Sequence, residues 1–565
     1  MKSSKRLFLL SWLIIVAGSI LAHLVQTAGD VTIKDVRFTG TNGQTLSALL
    51  YIPASATAET PAPGVLAVHG YINSREVQAP FAIELARRGY VVLALDQSGH
   101  GFSEGPAFSN GFGGPAALSY LRALDIVDAD NIGLEGHSMG GWTVLNAAAA
   151  MPDGYKSMVL QGSSTGSGFA APGTADWPRN VAVVFARFDE FAPLMWEVPR
   201  GSQAADSEKL QALFGTDSTI QEGRVYGSIP SGNARVFHNP PVTHPGNHLS
   251  HAAVGHTLDW FAQTLDGAAP FSRSGQIWFF KELGTLTAFV GFVLLLCSTF
   301  GLLLGTQSFS SLRAEPQGSA WSARNNIWWL LAVISAVIPV LTFYPLFGVA
   351  ATLLPASSGL PQGITNQVVF WAVVNGLILT AIGLFTRSAP VPFHFQWARS
   401  VLVALAVVGT GYMALLLMDF FFKVDFRFWF VGLRLLTLDQ LQIALVYFVP
   451  LTVFFLLLSR SLHGGMSVAG DSRRNQYLSN AFILAGGFGA FLILQYGSLF
   501  IRGVLLTPGE PLNTIVMIQF LPLLLIVSVI STFTYRKTGS YLPAALINAL
   551  FVSWYIVAGQ ATQAV

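Results

Sequence analysis

NIGLEGHSMGGW, residues 131–142, is the stretch whose reading decides the fold. Asn131 to Glu135 reads as a short apolar strand, Gly136-His137-Ser138-Met139-Gly140 follows at once, and Trp142 to Ala150 is a small-residue run suited to a helix. A G-x-S-x-G sequence between strand and helix makes a turn so tight that side chains two before and two after the serine would collide. Glycine therefore stands at both positions. The strain lifts Ser138 Oγ clear of the sheet, and the start of the following helix offers backbone N–H groups to an oxyanion forming there. In a chain with 55 glycines the five residues alone would make an ordinary turn. The strand before them and the helix after them argue for a nucleophile elbow.

Only 11% of the 565 residues are charged and the mean hydropathy is +0.53, against about 25% charged in an average soluble protein. The deficit is uneven. Residues 27–280 carry an ordinary polar mix, whereas 281–565 consists of long apolar runs with thin polar joints. A soluble domain large enough for one core is thus joined to a polytopic membrane part. The net charge of +2 and the absence of a basic cluster argue against a nucleic-acid partner. The single Cys297 lies inside an apolar run, so disulfides contribute nothing.

Lys2, Lys5 and Arg6 precede an apolar stretch from Leu7 to Val25, long enough to span a bilayer. Residues 1–28 are read as an uncleaved signal anchor rather than a cleaved signal peptide, and both readings send the next domain across the membrane. From Val31 strand-like segments follow: VTIKDVRFTG, TLSALLYIPA, GVLAVHGY, VVLALD, the elbow strand, YKSMVLQGS, NVAVVFARFD and ARVFHNP. Helices are expected over Glu76–Arg88, Ala116–Ala129 and Ser250–Thr264, the last opening on a serine cap. Apolar strands alternating with helices predict a mostly parallel sheet covered on both faces over residues 29–267.

This domain resembles an α/β-hydrolase, of the branch that includes dienelactone hydrolases and prolyl-oligopeptidase-like or serine-aminopeptidase-like esterases. Four pieces carry the resemblance in the family's order: His69-Gly70-Tyr71 after one strand, Asp96-Gln97-Ser98-Gly99-His100-Gly101 after the next, the elbow, and Asp189 at a strand end. A serine hydroxyl needs a base to take its proton, and the base needs an orienting carboxylate. The resemblance implies an acid just after a later strand, at Asp189 with Glu190 the adjacent alternative. It also implies a base on the loop between the last strand and the final helix. Five histidines crowd that region: His238, His244, His248, His251 and His256. His244 fits the family's position best, with His248 as fallback. The oxyanion hole is expected from the Met139 N–H and a second N–H at Tyr71, with Gly70 next. His69 is expected to buttress its loop, and Asp96 and His100 to pack theirs. No metal or cofactor is implied. Some 45 residues after Asp189, including Met195, Trp196, a helix near Ser207–Phe214 and Tyr226, are expected to form a cap, with Phe191, Leu194, Met195 and Trp196 as an apolar pocket wall.

Residues 276–565 predict an all-α part of about eight further spans. With the N-terminus inside, cytoplasmic joints hold Lys2, Lys5, Arg6, Arg313, Arg324, Arg387, Arg399, Arg460, Arg473, Arg474, Arg536 and Lys537; the other side holds Arg273, Lys281, Lys423, Arg427, Arg434 and Arg502. That bias puts the soluble domain outside the cell membrane. Asn375, Asp419, Asn480, Gln495, Gln519 and Asn548 fall in or beside spans and are read as bridges between helices. The joint 423–439, aromatic and charged, is expected at the outer interface. The function expected is that of a membrane-anchored serine hydrolase of bacterial type. It would cleave an ester, thioester or amide of a small molecule, lipid or peptide through an acyl-Ser138 intermediate, with membrane lipid as surroundings. The alternative is a transport or sensing protein carrying a hydrolase-like extracytoplasmic domain. The sequence leaves the oligomeric state open.

Overall fold

The computed structural model describes residues 2–267, 272–316, 318–385 and 396–564. The chain forms two compact units. One comprises Ile20–Gly284 with Tyr496–Pro511 and Gly559–Val565; the other comprises Met1–Ser19, Thr285–Gln495 and Leu512–Ala558.

In the first unit an eight-stranded sheet runs in the order β1-β2-β4-β3-β5-β6-β7-β8. The strands are β1 (Thr32–Thr39), β2 (Thr45–Ile52), β3 (Ala62–Val68), β4 (Val91–Asp96), β5 (Val127–His137), β6 (Ser157–Gln161), β7 (Val181–Val184) and β8 (Arg235–His238). β1 with β2 and β2 with β4 pair antiparallel, and every pairing from β4 to β8 is parallel. β3, β4, β6 and β7 are buried along their whole lengths, as continuous apolar runs must be when helices cover both faces. α3 (Gly114–Arg122) and α4 (Met139–Ala150) close one core with Leu66, Leu93, Leu134 and Leu160; α2 (Ala79–Ala86) and α7 (His251–Thr264) close the other with Val65, Val92, Val159 and Val184.

Two local expectations need adjusting and a third is met. α2 begins at Ala79 behind a short 3-10 turn, Arg75–Gln78, because Pro80 at its start has no N–H to continue an earlier turn. α3 stops at Arg122, and Val127 already pairs with Ala62, so β5 takes residues that had been read as helix. α7 does open on Ser250, whose hydroxyl accepts from the Ala253 N–H at 3.1 Å.

The second unit is helical. Among the described residues of the whole chain, eight helices are long and apolar enough to cross a membrane, or nine if a bent pair counts as one span. They are α1 (Lys2–Gln26), α8 (Trp278–Leu303), α11 (Gly363–Phe385), α12 (Trp397–Phe422), α13 (Leu438–Arg460), α14–α15 (Arg473–Ala481 and Gly487–Arg502), α16 (Pro511–Thr538) and α17 (Leu542–Gly559). The bent pair, α9 (Asn326–Leu341) and α10 (Phe343–Leu353), turns by 43° at its break, and Pro339 removes a helical N–H just before it. Four of the polar groups bridge helices as expected: Asn375 to Thr342 at 3.0 Å, Asn480 to Thr532 at 2.8 Å, Gln495 to Tyr344 at 2.8 Å and Gln519 to Tyr555 at 2.8 Å. Asn548 departs from the expectation, making no side-chain hydrogen bond among the described residues, and Asp419 lies 3.7 Å from Lys423, one turn further along. Within the 423–439 joint, β9 (Phe426–Phe428) and β10 (Val431–Leu433) form a hairpin that buries Arg427 against Asp425. Its charge is carried inside this unit as a pair rather than on an aromatic surface. Arg387 lies outside the described residues.

Candidate active site

β5 runs straight into α4, and Ser138 stands between them with φ 54° and ψ −121°, a backbone conformation that non-glycine residues rarely adopt. The strain is fixed on both sides. The Ser138 N–H donates to the Gln161 carbonyl at 2.9 Å, and the Ser138 carbonyl accepts from the Gly141 N–H at 2.9 Å and the Ser163 hydroxyl at 2.7 Å. The flanking glycines are compulsory: a Cβ on Gly136 would lie 2.2 Å from the Gly140 carbonyl oxygen, and one on Gly140 would lie 2.1 Å from that of Val68. Among the described residues, neither the Met139 nor the Tyr71 backbone N–H donates within the chain, so both are free to serve an oxyanion. Gly70, preceding Tyr71, approaches so closely that a Cβ there would sit 3.1 Å from the Ser138 Cβ.

Asp189 follows β7 and is buried, with Oδ2 2.9 Å and Oδ1 3.1 Å from His244 Nδ1. His244 caps a short 3-10 turn, Pro245–Leu249, ahead of α7. Burial alone would lower its pKa, but the Asp189 charge, its hydrogen bond and the Glu190 charge together raise it above 6.5. Glu190 does not touch the His244 ring. Its Oε2 accepts the His244 backbone N–H at 2.7 Å, and its Oε1 accepts the Tyr496 hydroxyl at 2.9 Å. Burial and the neighbouring Asp189 charge push the Glu190 carboxyl up to about 7. The His248 ring packs against His137, tilted by 53° with ring centroids 4.1 Å apart. His238 stacks on His256 at 3.7 Å, and His251 packs on Trp278 at 4.9 Å. In this structure the Ser138 hydroxyl makes no hydrogen bond to His244 among the described residues; such bonds often tighten only around a substrate.

The supporting loops behave as expected. His69 Nδ1 donates to the Gly70 carbonyl at 2.7 Å while its Nε2 accepts the Gln97 N–H at 3.2 Å, which orients the oxyanion loop. Asp96 accepts the N–H groups of Arg75 at 2.9 Å and Phe102 at 3.0 Å, and His100 accepts that of Ile72 at 3.4 Å. The expected pocket wall does need correcting. Met195 and Trp196, on α5 (Ala192–Trp196), are packed into the core with Leu210 and Leu213 of α6 (Glu208–Phe214); Leu194 is exposed, and only Phe191 reaches the site, 4.7 Å from the His244 ring. An aromatic rim lies on the oxyanion side instead: Tyr71 contacts Phe108 at 5.3 Å, Phe108 stacks on Phe169 at 5.9 Å, and Phe169 contacts Trp142 of α4 at 6.2 Å. Among the described residues, no group of three or more His, Cys, Asp and Glu side chains has the arrangement of a metal site.

Residues 63–221 match the family model described as alpha/beta hydrolase fold. This part of the chain has the α/β-hydrolase fold. Over 122 residues it is 34% identical to the quorum-quenching protein AidA of Acinetobacter baumannii (strain MDR-ZJ06), a match covering 20% of this chain. The chain spans 39% of that relative's length. Similar solved structures include brefeldin A esterase, described as a bacterial homologue of human hormone-sensitive lipase (16% identity, 46% of this chain and 86% of that one, TM-score 0.30). A thermostable carboxyl esterase from Bacillus coagulans is another (22% identity, 24% and 45%, TM-score 0.20).

The α/β-hydrolase domain holds three site-flanking residues that the sequence did not single out. His137, the x of the elbow, donates from Nε2 to the His244 carbonyl at 3.0 Å, and burial keeps its ring neutral. Its place beside Ser138 was the available signal. Tyr496 and Gln563 gave none, being 306 and 492 residues from the partners they bond. The Glu190 contacts support a pH prediction. An imidazole acts as a base only when neutral, so a base role for His244 predicts that activity falls as pH drops through its raised pKa, above 6.5. Glu190→Gln removes one of the charges that raise it, while the amide oxygen still accepts the His244 N–H. The acid limb of kcat/KM should move to lower pH by up to about one unit, with kcat kept. An unmoved or upward-shifted limb in the pH–rate profile contradicts this.

Proposed function

We propose that this protein is a serine hydrolase held in a membrane by its apolar helices, cleaving an acyl ester, thioester or amide. The observation that carries the reading is the Asp189–His244 pair, 2.9 Å apart and buried, in the same domain as a strained Ser138. His244 Nε2 takes the Ser138 proton as Oγ attacks the acyl carbon, and the imidazolium formed is stabilised by Asp189. The oxyanion is received by the Tyr71 and Met139 N–H groups. His244 then returns the proton to the departing alcohol, thiol or amine. Water, deprotonated in turn by His244, attacks the acyl-Ser138 carbonyl and releases the acid. The aromatic rim of Tyr71, Phe108, Phe169 and Trp142 favours an acyl group with apolar bulk. The role named for the relative, quorum quenching, makes a signalling molecule a further substrate to assay.

Turnover of p-nitrophenyl esters of graded chain length by the full-length protein tests this reading. Rates rising from acetyl to medium-length acyl groups support it, and no turnover of any ester or matched amide contradicts it.

Sidedness is proposed from charge: an N-in start places the hydrolase domain outside the cell membrane. Ser218 and Ser472 are both exposed. In a Cys297→Ala background, a cysteine at Ser218 should react with an impermeant maleimide in intact cells and one at Ser472 should not. The opposite pattern would put the site in the cytoplasm.

A further inference from the structure

Two segments from the C-terminal third of the chain pack within the hydrolase unit, and each bonds a residue that flanks the candidate site. On the acid–base side, the Tyr496 hydroxyl donates to Glu190 Oε1 at 2.9 Å, and the other oxygen of that carboxylate holds the His244 N–H at 2.7 Å. The same segment adds Phe500, edge-on to Phe188 at 5.2 Å, next to Asp189. On the oxyanion side, Gln563 Nε2 donates to the Tyr71 hydroxyl at 2.8 Å. One residue earlier, the Thr562 N–H donates to the Gly99 carbonyl at 2.8 Å and its carbonyl accepts the Ala107 N–H at 2.7 Å. The tail thereby pairs with the loop that carries Phe108 of the aromatic rim.

We propose that Tyr496 and Gln563 are positioning residues that complete the hydrolase site. Tyr496 fixes the His244 loop through Glu190, and Gln563 fixes the Tyr71 oxyanion loop, so the 31–284 segment is not the whole enzyme. The inference rests on the serine-hydrolase reading. Its physical basis is that a base and an oxyanion donor must both be held to a fraction of an ångström around one reacting carbon. Here each loop is tied at its rim by a hydrogen bond from elsewhere in the chain. The first tie comes from within the apolar helix α15 and the second from the segment that follows α17.

The test uses full-length protein in detergent and a fluorophosphonate probe, reading both the rate and the final stoichiometry of Ser138 labelling. Gln563→Ala and a chain ending at Gly559 should label to the wild-type endpoint, but about 10- to 100-fold more slowly. Gln563→Glu should restore most of the rate, because its carboxylate accepts a hydrogen bond from the Tyr71 hydroxyl. Tyr496→Phe keeps the ring and loses only the O–H, and should slow labelling with its endpoint and melting temperature unchanged. A purely structural role would lower the endpoint rather than the rate. Wild-type labelling rates in Gln563→Ala and Tyr496→Phe overturn the proposal. If the truncated chain loses its endpoint it has lost its fold, and the two point variants decide. Failure of the wild-type protein to label would instead overturn the Ser138 reading on which the inference rests.

Discussion

Ser138→Ala is expected to lower turnover of a p-nitrophenyl ester by about 10⁶-fold, the scale seen when a triad nucleophile is removed. The loss should be confined to chemistry. Ser138 is part-exposed, and its backbone rather than its hydroxyl makes the bonds to Gln161, Gly141 and Ser163. Alanine keeps those bonds and tolerates the same φ no worse than serine. The melting temperature should therefore stay within about a degree or two of wild type, as for a substitution that removes no packing. Turnover near wild type in folded Ser138→Ala would mean that hydrolysis, if present, belongs to another residue.

The second large effect separates the two histidines. His244→Ala is expected to cost about as much as Ser138→Ala, and the double variant little more, because nucleophile and base act as one unit. His248→Ala should leave kcat within about tenfold when rates are expressed per folded molecule. The Asp189 carboxylate bonds the His244 ring nitrogen, whereas His248 packs on His137 at 4.1 Å and near Phe81 at 6.1 Å. Because His248 is buried, its replacement is expected to lower stability, which thermal unfolding would register separately. If the two variants exchange behaviour, the base is His248 and the serine mechanism stands with a different member.

The fold was legible where short-range physics decides it. Glycines two residues either side of Ser138 announce a turn that no Cβ could enter, and continuous apolar runs such as VVLALD announce strands covered on both faces. The antiparallel edge β1-β2-β4 was not legible, since the direction in which β2 meets β4 depends on residues far apart in sequence. The start of α2 differs from the expected helix because Pro80 delays it, and Pro339 precedes the α9–α10 bend. The hydrophobicity of Met195 and Trp196 marked them as buried without saying in what; they belong to the core, and the rim is formed by Phe108 and Phe169.

The site divides the same way. Residue type and order along the chain pointed to Ser138, Asp189 and a histidine near 244, because proton transfer needs those groups. Which histidine meets Asp189 was not legible, since His244 and His248 both lie between β8 and α7; in the structure Asp189 bonds the His244 ring. Glu190 looked like a spare acid in sequence, yet it grips the His244 backbone and the Tyr496 hydroxyl.

Intact-mass and peptide mass spectrometry of the full-length protein after fluorophosphonate treatment tests the central claim most directly. A single adduct mapped to Ser138, abolished in Ser138→Ala and slowed by orders of magnitude in His244→Ala, is the expected result. No adduct on folded wild-type protein, or one carried by a different serine, would contradict it.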